Sequence, residues 1–210
     1  KDLIIKKALS NFVGHTEFLQ DMENKKYTNM ILYNKKIIIS PLTTHIKINS
    51  VSRMISKKNF IYEKIKILND SLFLDFGLKK PKIIVSGLNP HAGENGNIGN
   101  EDEKIIKPAI HKLKKNNIHV KGPVSADSML IDKNINHYDC FVFMYHDQAL
   151  IPFKFISQFS GVNFTGNLNV VRVSPDHGTA YKLRGNKNRS DKSIINFFKL
   201  VNKINNNRKL

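Results

Sequence analysis

Three histidines stand in compact polar motifs, each after an apolar run of strand character. His45 closes Pro41-Leu42-Thr43-Thr44-His45 after residues 36–40, His91 lies in Asn89-Pro90-His91-Ala92-Gly93-Glu94 after residues 82–88, and His146 lies in Tyr145-His146-Asp147-Gln148 after residues 140–145. A strand end fixes the position of such a residue, and the loop after it lets the imidazole point into a cleft, where open α/β sheets gather ligands. Three neutral imidazoles that leave positions open on a divalent ion suit Zn²⁺ or a similar metal, with a substrate oxygen bound to the ion as Lewis acid. One histidine alone carries little weight, because imidazole has many uses. His111, His119 and His137 sit in a Lys-rich helical stretch, an exposed strand entry and a polar turn. They have no supporting motif and read as surface or satisfied core residues. Spacing alone does not make His45, His91 and His146 converge.

The elements that must carry these motifs alternate between strand and helix, which gives an α/β chain. A helix follows Thr16, strands lie near residues 30–33 and 37–40, and a Lys-rich helical region covers 51–76. The strand at 82–86 feeds the His91 loop, and the next helix contains Pro108, which predicts a kink there. Strands near His119, Cys140, Val162 and Val170 follow. The last helix, about 191–205, places Ile194, Ile195, Phe197, Phe198, Leu200, Val201 and Ile204 on a broad apolar face, with a fraying Asn- and Lys-rich end. No internal repeat is visible.

The formal charge of +17 and the pI near 9.9 raise the question of nucleic acid. Lys is spread through almost every segment, with abundant Asn and Ile, so the excess is diffuse and not a DNA-binding stripe. No aromatic interleaving, zinc-finger or helix-turn-helix pattern accompanies it, and no nucleic-acid partner is expected. A diffuse cationic field suits anionic small molecules. The single Cys140 lies in an apolar strand and has no disulfide partner, which fits a reducing cytoplasm. No apolar run reaches membrane-spanning length, and no membrane partner is expected.

Read in order, the motifs are Gly14-His15-Thr16-Glu17-Phe18-Leu19, Thr43-Thr44-His45, Gly87 to Glu94, Gly122-Pro123-Val124-Ser125-Ala126-Asp127, Met144 to Gln148, Ile151-Pro152-Phe153-Lys154, Gly161-Val162-Asn163 and Ser174 to Ala180. The series resembles the 4-hydroxythreonine-4-phosphate dehydrogenase family of vitamin B6 biosynthesis, nearly end to end. The resemblance implies NAD-dependent oxidation of the C3 hydroxyl of 4-phosphohydroxy-L-threonine and loss of its carboxylate, giving 3-amino-2-oxopropyl phosphate. It implies a homodimer in which His45, His91 and His146 hold a divalent metal (Zn, Mg or Co) at a site shared between subunits. It assigns the phosphorylated small-molecule substrate to His15, Thr16, Lys154, Asn163 and Arg172. In physical terms Lys154 and Arg172 are cationic donors, and Thr16 stands where an N-cap places its hydroxyl beside free helical amides.

Asp127 and Asp147 are the carboxylates expected near the metal, orienting an imidazole or moving a proton. Asp127 equally fits an N-cap for residues 128–131. The segment Ser174 to Ala180 resembles the cofactor loop of the isocitrate and isopropylmalate dehydrogenase superfamily, which implies NAD contacts at His177, Gly178 and Thr179. That superfamily is two-lobed, with its active site between the lobes. Tyr181-Lys182-Leu183-Arg184-Gly185 departs from the family pattern. Gly93, Gly96 and Gly99 form a Gly-rich loop whose following helix could offer amides to an anion.

With 210 residues the chain is shorter than the family norm, and its first motif comes early. The N-terminal third is expected to be missing, leaving an incomplete outer lobe. The expected division is 1–40 for the remainder of that lobe, 41–170 for the metal- and dimer-forming region, and 171–210 for the return segment with the cofactor loop and last helix. Two other readings stay open: a dehydrogenase of a phosphorylated sugar acid such as threonate or erythronate 4-phosphate, and a truncated non-catalytic remnant.

Overall fold

In the computed structural model, residues 14–158, 160–176 and 190–209 are described. A seven-stranded mixed sheet runs through the centre in the order β4-β3-β5-β2-β1-β6-β7. Its strands are β1 (Asn29–Asn34), β2 (Ile37–Pro41), β3 (Ile83–Ser86), β4 (Val120–Val124), β5 (Cys140–Phe143), β6 (Val162–Gly166) and β7 (Arg172–Pro175). β4, β3, β5 and β2 are mutually parallel; β1, β6 and β7 continue antiparallel from β2. β3 and β5 are buried along their whole length, as central parallel strands covered on both faces must be.

The period of two sorts their side chains. Ile83, Val85, Cys140, Val142 and Ile31 enter one core with helices α3 (Phe60–Leu74), α4 (Lys107–Lys115) and α7 (Lys192–Arg208). Ile84, Phe141, Phe143 and Leu32 enter the other with Ala149 and Phe153 of α6 (His146–Ser157). α1 (His15–Met22), α2 (Val51–Ile55) and α5 (Asp132–Ile135) complete the α-helices of the described residues.

Several expectations need correction. The helical region 51–76 is two helices, α2 and α3, divided at Asn59, which takes the left-handed conformation (φ 61°) that Asn tolerates. Pro108 does lie inside a continuous helical run, 101–115, and what the sequence did not show is the π-helical turn Asp102–Ile106 just ahead of it, after which α4 begins. Proline lacks the amide that an i to i−4 ladder needs, and the preceding turn has the wider register. The strand expected near Val170 begins at Arg172.

The last helix runs on to Arg208, and its end is pinned instead of fraying. Arg208 Nε contacts Asp75 Oδ1 at 2.6 Å, and Asn207 Nδ2 donates to the Asp75 carbonyl at 2.7 Å. On this helix Leu200 and Ile204 are buried and Phe197 packs on the core, while Ile194, Ile195 and Phe198 are exposed.

Candidate active site

β3, β5 and β2 are adjacent and parallel, so the loops carrying His91, His146 and His45 leave the same edge of the sheet. Two of these loops are sewn together by hydrogen bonds to main-chain carbonyls. Leu42 N donates to the Phe143 carbonyl (2.8 Å), and Thr43 gives both its amide (3.2 Å) and its hydroxyl (2.8 Å) to the Met144 carbonyl. The His45 and His146 rings consequently lie 6.0 Å apart, centroid to centroid.

Each ring is held through Nδ1 by a carboxylate, His45 by Glu17 Oε1 at 3.2 Å and His146 by Asp147 Oδ1 at 2.7 Å. That leaves both Nε2 atoms for a ligand. Glu17 holds the His45 pKa above its ordinary value, and the same hydrogen bond lowers that of Glu17, with help from Arg172. Glu17 was absent from the sequence-derived site although it stands beside Thr16; an acidic residue following a His-Thr pair on one turn was the available signal.

Gln148 joins the third loop. Its Oε1 accepts from Met144 N (2.8 Å) and Ser86 Oγ (3.3 Å), and its Nε2 donates to the Gly87 carbonyl (3.2 Å). Beyond Gly87 the chain makes a left-handed turn, with positive φ at His91, Ala92, Gly93, Glu94 and Asn95. The fully buried Asp102 clamps its entrance, accepting from Leu88 N (2.9 Å), Asn89 N (3.2 Å) and Asn89 Nδ2 (2.9 Å). Asp102 thus answers the amides at the entrance of this loop from within, and the amides of the following helix, where an anion was expected, are not among them. A Cβ on Gly87 would meet Asp102 Oδ1 at 2.6 Å, so only glycine fits beneath the clamp.

His91 forms no metal-holding group with the other two imidazoles; it lies in electrostatic reach of Asp127, whose pKa is lowered chiefly by the Ser125 hydroxyl (2.6 Å) and to a lesser degree by His91. Asp127 sits inside the short turn Ala126–Ser128 and caps no helix. Among the described residues no group of three or more His, Cys, Asp or Glu is arranged to hold a metal.

The substrate-binding set is strung along the sheet. α1 has Gly14 as its N-cap, which puts His15 and Thr16 inside the first turn and corrects the cap expected at Thr16. Arg172 pairs across β6 with Thr165, donating to its hydroxyl at 3.1 Å, at the same sheet edge as His45. Burial lowers its pKa and Glu17 partly restores it. Asn163 lies two residues along β6 on the same face, its Oδ1 buried without a hydrogen-bond partner. Lys154 is about 12 Å down α6 from His146. It is paired with Asp176 at 2.9 Å, beyond the far end of β7. His177, Gly178 and Thr179 lie outside the described residues.

Two adjoining cavities meet at Thr44, His45 and Ile46. One, of about 310 Å³, reaches Tyr145, His146 and Asp147. The other, of about 260 Å³, reaches Thr16, Glu17, Thr43 and Lys64. A hollow of about 480 Å³ at the amino ends of β3 and β4, beside Phe73, Lys79 and His119, gathers none of the motif residues.

Comparison with known proteins gives this arrangement a family. The model for the family described as pyridoxal phosphate biosynthetic protein PdxA matches residues 1–201. A 4-hydroxythreonine-4-phosphate dehydrogenase of Sulfurihydrogenibium sp. (strain YO3AOP1) is 41% identical over 182 residues, 87% of this chain and 55% of that protein. The crystal structure of a 4-hydroxythreonine-4-phosphate dehydrogenase from Klebsiella pneumoniae superposes with a TM-score of 0.81 at 31% identity, over 95% of this chain and 61% of that one. A terephthalate 1,2-cis-dihydrodiol dehydrogenase from Burkholderia xenovorans LB400 superposes with a TM-score of 0.73 at 27% identity, over 91% and 61%. The chain thus spans a little over half the length of these relatives. The matched region takes in every strand of the sheet and the loops that carry all three histidines, and the chain belongs to the pyridoxal phosphate biosynthetic protein PdxA family.

Proposed function

We propose that the chain carries out the reaction named for its relatives, the NAD-dependent oxidation and decarboxylation of 4-phosphohydroxy-L-threonine to 3-amino-2-oxopropyl phosphate. The observation that carries this reading is the His45–His146 pair at the carboxyl edge of the parallel strands, each imidazole braced by its own carboxylate. Such a donor pair fits a divalent ion, Zn²⁺, Mg²⁺ or Co²⁺, with Nε2 of each ring as ligand. When bound, the ion supplies Lewis-acid polarisation of the substrate's C3 oxygen.

The chain's own residues do the rest. Arg172 holds an anionic group of the substrate at the His45 edge, and Thr16 offers a hydroxyl from the first turn of α1. Asn163 and Lys154 extend the binding strip, and His15 belongs to the same set. Asp147 keeps His146 in one orientation, and Asp127 is the candidate for moving the C3 hydroxyl proton. NAD, when bound, would supply the hydride acceptor for C3 as that proton leaves. The resulting β-keto acid breaks its C1–C2 bond, releases CO₂ and keeps the electron pair at C2 until a proton replaces it. NAD is assigned to His177, Gly178 and Thr179, with the family's two-lobed architecture completing the cleft.

The third ligand on this reading is His91 of a second copy. Its separation from His45 and His146 within one chain supports a homodimer with shared sites. So do Ile151 and Phe155, 70% and 84% exposed on the helix that His146 begins. Among the described residues no helix is long and apolar enough to cross a membrane, and we place the reaction in the cytoplasm.

NADH formation by the purified chain with 4-phosphohydroxy-L-threonine, before and after chelation and metal return, tests the proposal. Turnover abolished by chelator and restored by the ion is expected. Chelator-insensitive turnover would remove the metal from the reading, and metal binding without turnover would favour a non-catalytic remnant.

A further inference from the structure

Lys64 is the exception in the buried face of α3. Phe60, Ile61, Ile65, Leu68 and Leu72 make that face apolar, yet Lys64 lies among them with only 6% of its surface exposed. Its amine donates to the Thr28 carbonyl, and among the described residues that is its one hydrogen-bond partner. An ammonium has three donors, and burial without partners is costly. The side chain lines the 260 Å³ cavity, and the two remaining donor positions are left for whatever enters it.

Glu17 lines the same cavity with the opposite character. Its Oε1 holds His45, while its Oε2 is buried and accepts no hydrogen bond. The two groups are linked through the wall: Thr28 Oγ1 donates to Gln20 Oε1 at 2.8 Å, and Gln20 is one helical turn from Glu17 on α1. The other charged groups on the cavity are His45, Lys57 and Lys26, the last neutralised by Glu63 at 2.8 Å.

A buried cation with open donors beside a buried carboxylate oxygen with no donor is complementary to a zwitterion. A phosphate would be repelled by Glu17, and a simple hydroxy acid would leave Glu17 Oε2 with a weaker partner. We infer that this cavity holds the α-amino-acid end of the substrate, its carboxylate on Lys64 and its ammonium on Glu17 Oε2, and so selects 2-amino over 2-hydroxy acids. The inference rests on the proposed substrate and deepens it. It also separates the leading reading from the phosphorylated sugar-acid alternative, which lacks the ammonium.

Titration calorimetry of the chain with 4-phosphohydroxy-L-threonine and with its 2-hydroxy counterpart tests it. The unmodified chain is expected to prefer the amino compound by about tenfold or more, the value of one charge-assisted hydrogen bond. Lys64→Met should weaken both ligands about tenfold, and Glu17→Gln should weaken the amino compound more, collapsing the preference. Lys64→Gln, which can keep the bond to Thr28, serves if Lys64→Met does not fold. Affinities within twofold of the original in a folded Lys64 variant would overturn the inference, as would failure of the unmodified chain to bind either ligand. NADH formation measured in parallel distinguishes the two levels. Turnover with unchanged selectivity in the variants leaves the reaction standing without this cavity, and selective binding without turnover leaves the cavity standing without the reaction.

Discussion

Lys64 and Cys140 are both buried in the core beneath the sheet, and burial acts on them in opposite senses. It pushes the Cys140 thiol up, so that residue stays a neutral, inert hydrophobe, and it brings the Lys64 ammonium down to about 7. In the unfolded chain Lys64 titrates near 10.5. Between these values the unfolded state holds a proton that the folded state has released, so stability rises as pH increases through that window. Below about pH 7 both states are protonated and the full cost of the buried charge remains. Lys64→Met removes the cost, and should raise the urea midpoint at pH 6 by more than at pH 9, a difference worth on the order of a few kcal/mol. Equal gains at both pH values would show that the amine is not buried as a charge. The residue was legible in principle. Phe60, Lys64 and Leu68 follow the four-residue spacing of one helix face, but a lysine in a Lys-rich stretch reads first as a solvated charge.

The elements themselves were legible wherever one physical signal dominated. β3 and β5 are continuous apolar runs, and β1 and β2 flank a turn in which Asn34 Oδ1 accepts from Lys36 N at 2.8 Å. What the sequence hid was set by partners distant in the chain. The end of α7 looks polar and free until Asp75, 2% exposed, is found beneath it. Arg208→Ala leaves that carboxylate buried beside a severed bond, and should cost about 2 kcal/mol or more in denaturant unfolding. A loss under 0.5 kcal/mol would mean that the last turn is not anchored there. The left-handed turn at His91 was hidden for the same reason. Nothing in Pro90-His91-Ala92-Gly93-Glu94-Asn95 demands positive φ, and each non-glycine residue there carries a cost of about 1–2 kcal/mol that neighbours must offset. Asp102 is the neighbour that does so, by holding the amides of Leu88 and Asn89. Asp102→Ala should therefore release the turn, making it sensitive to protease near residues 91–96 while the sheet keeps its circular dichroism. A variant whose turn resists proteolysis like the parent would show that the conformation is intrinsic to the loop.

At the scale of the whole molecule the question is whether three histidines on one sheet edge can serve one ion, as proposed. His45 and His146 are joined by the bonds between their loops, whereas His91 is carried by a turn that faces Asp127. The shared-site reading makes each site from the pair of one subunit and His91 of the other, and a two-fold dimer then has two equivalent sites. This arrangement has a signature that a site within one chain cannot produce. His45→Ala and His91→Ala each remove a ligand from both sites of their own homodimers. Mixed by unfolding and refolding together at equal concentration, they form heterodimers with one site lacking both residues and one site intact. Half of the dimers are heterodimers, so about a quarter of the original high-affinity sites should return, read as Co²⁺ bound per subunit. His45→Ala mixed with His146→Ala should return none, because both residues belong to the same half of each site. Recovery in the second mixture, or none in the first alongside demonstrated heterodimers, would place the ligands differently. Phe155→Glu extends the test to the apolar face of α6: a charge on a covered surface should separate the subunits and lower Co²⁺ affinity in an otherwise folded chain, while an exposed surface would tolerate it without change.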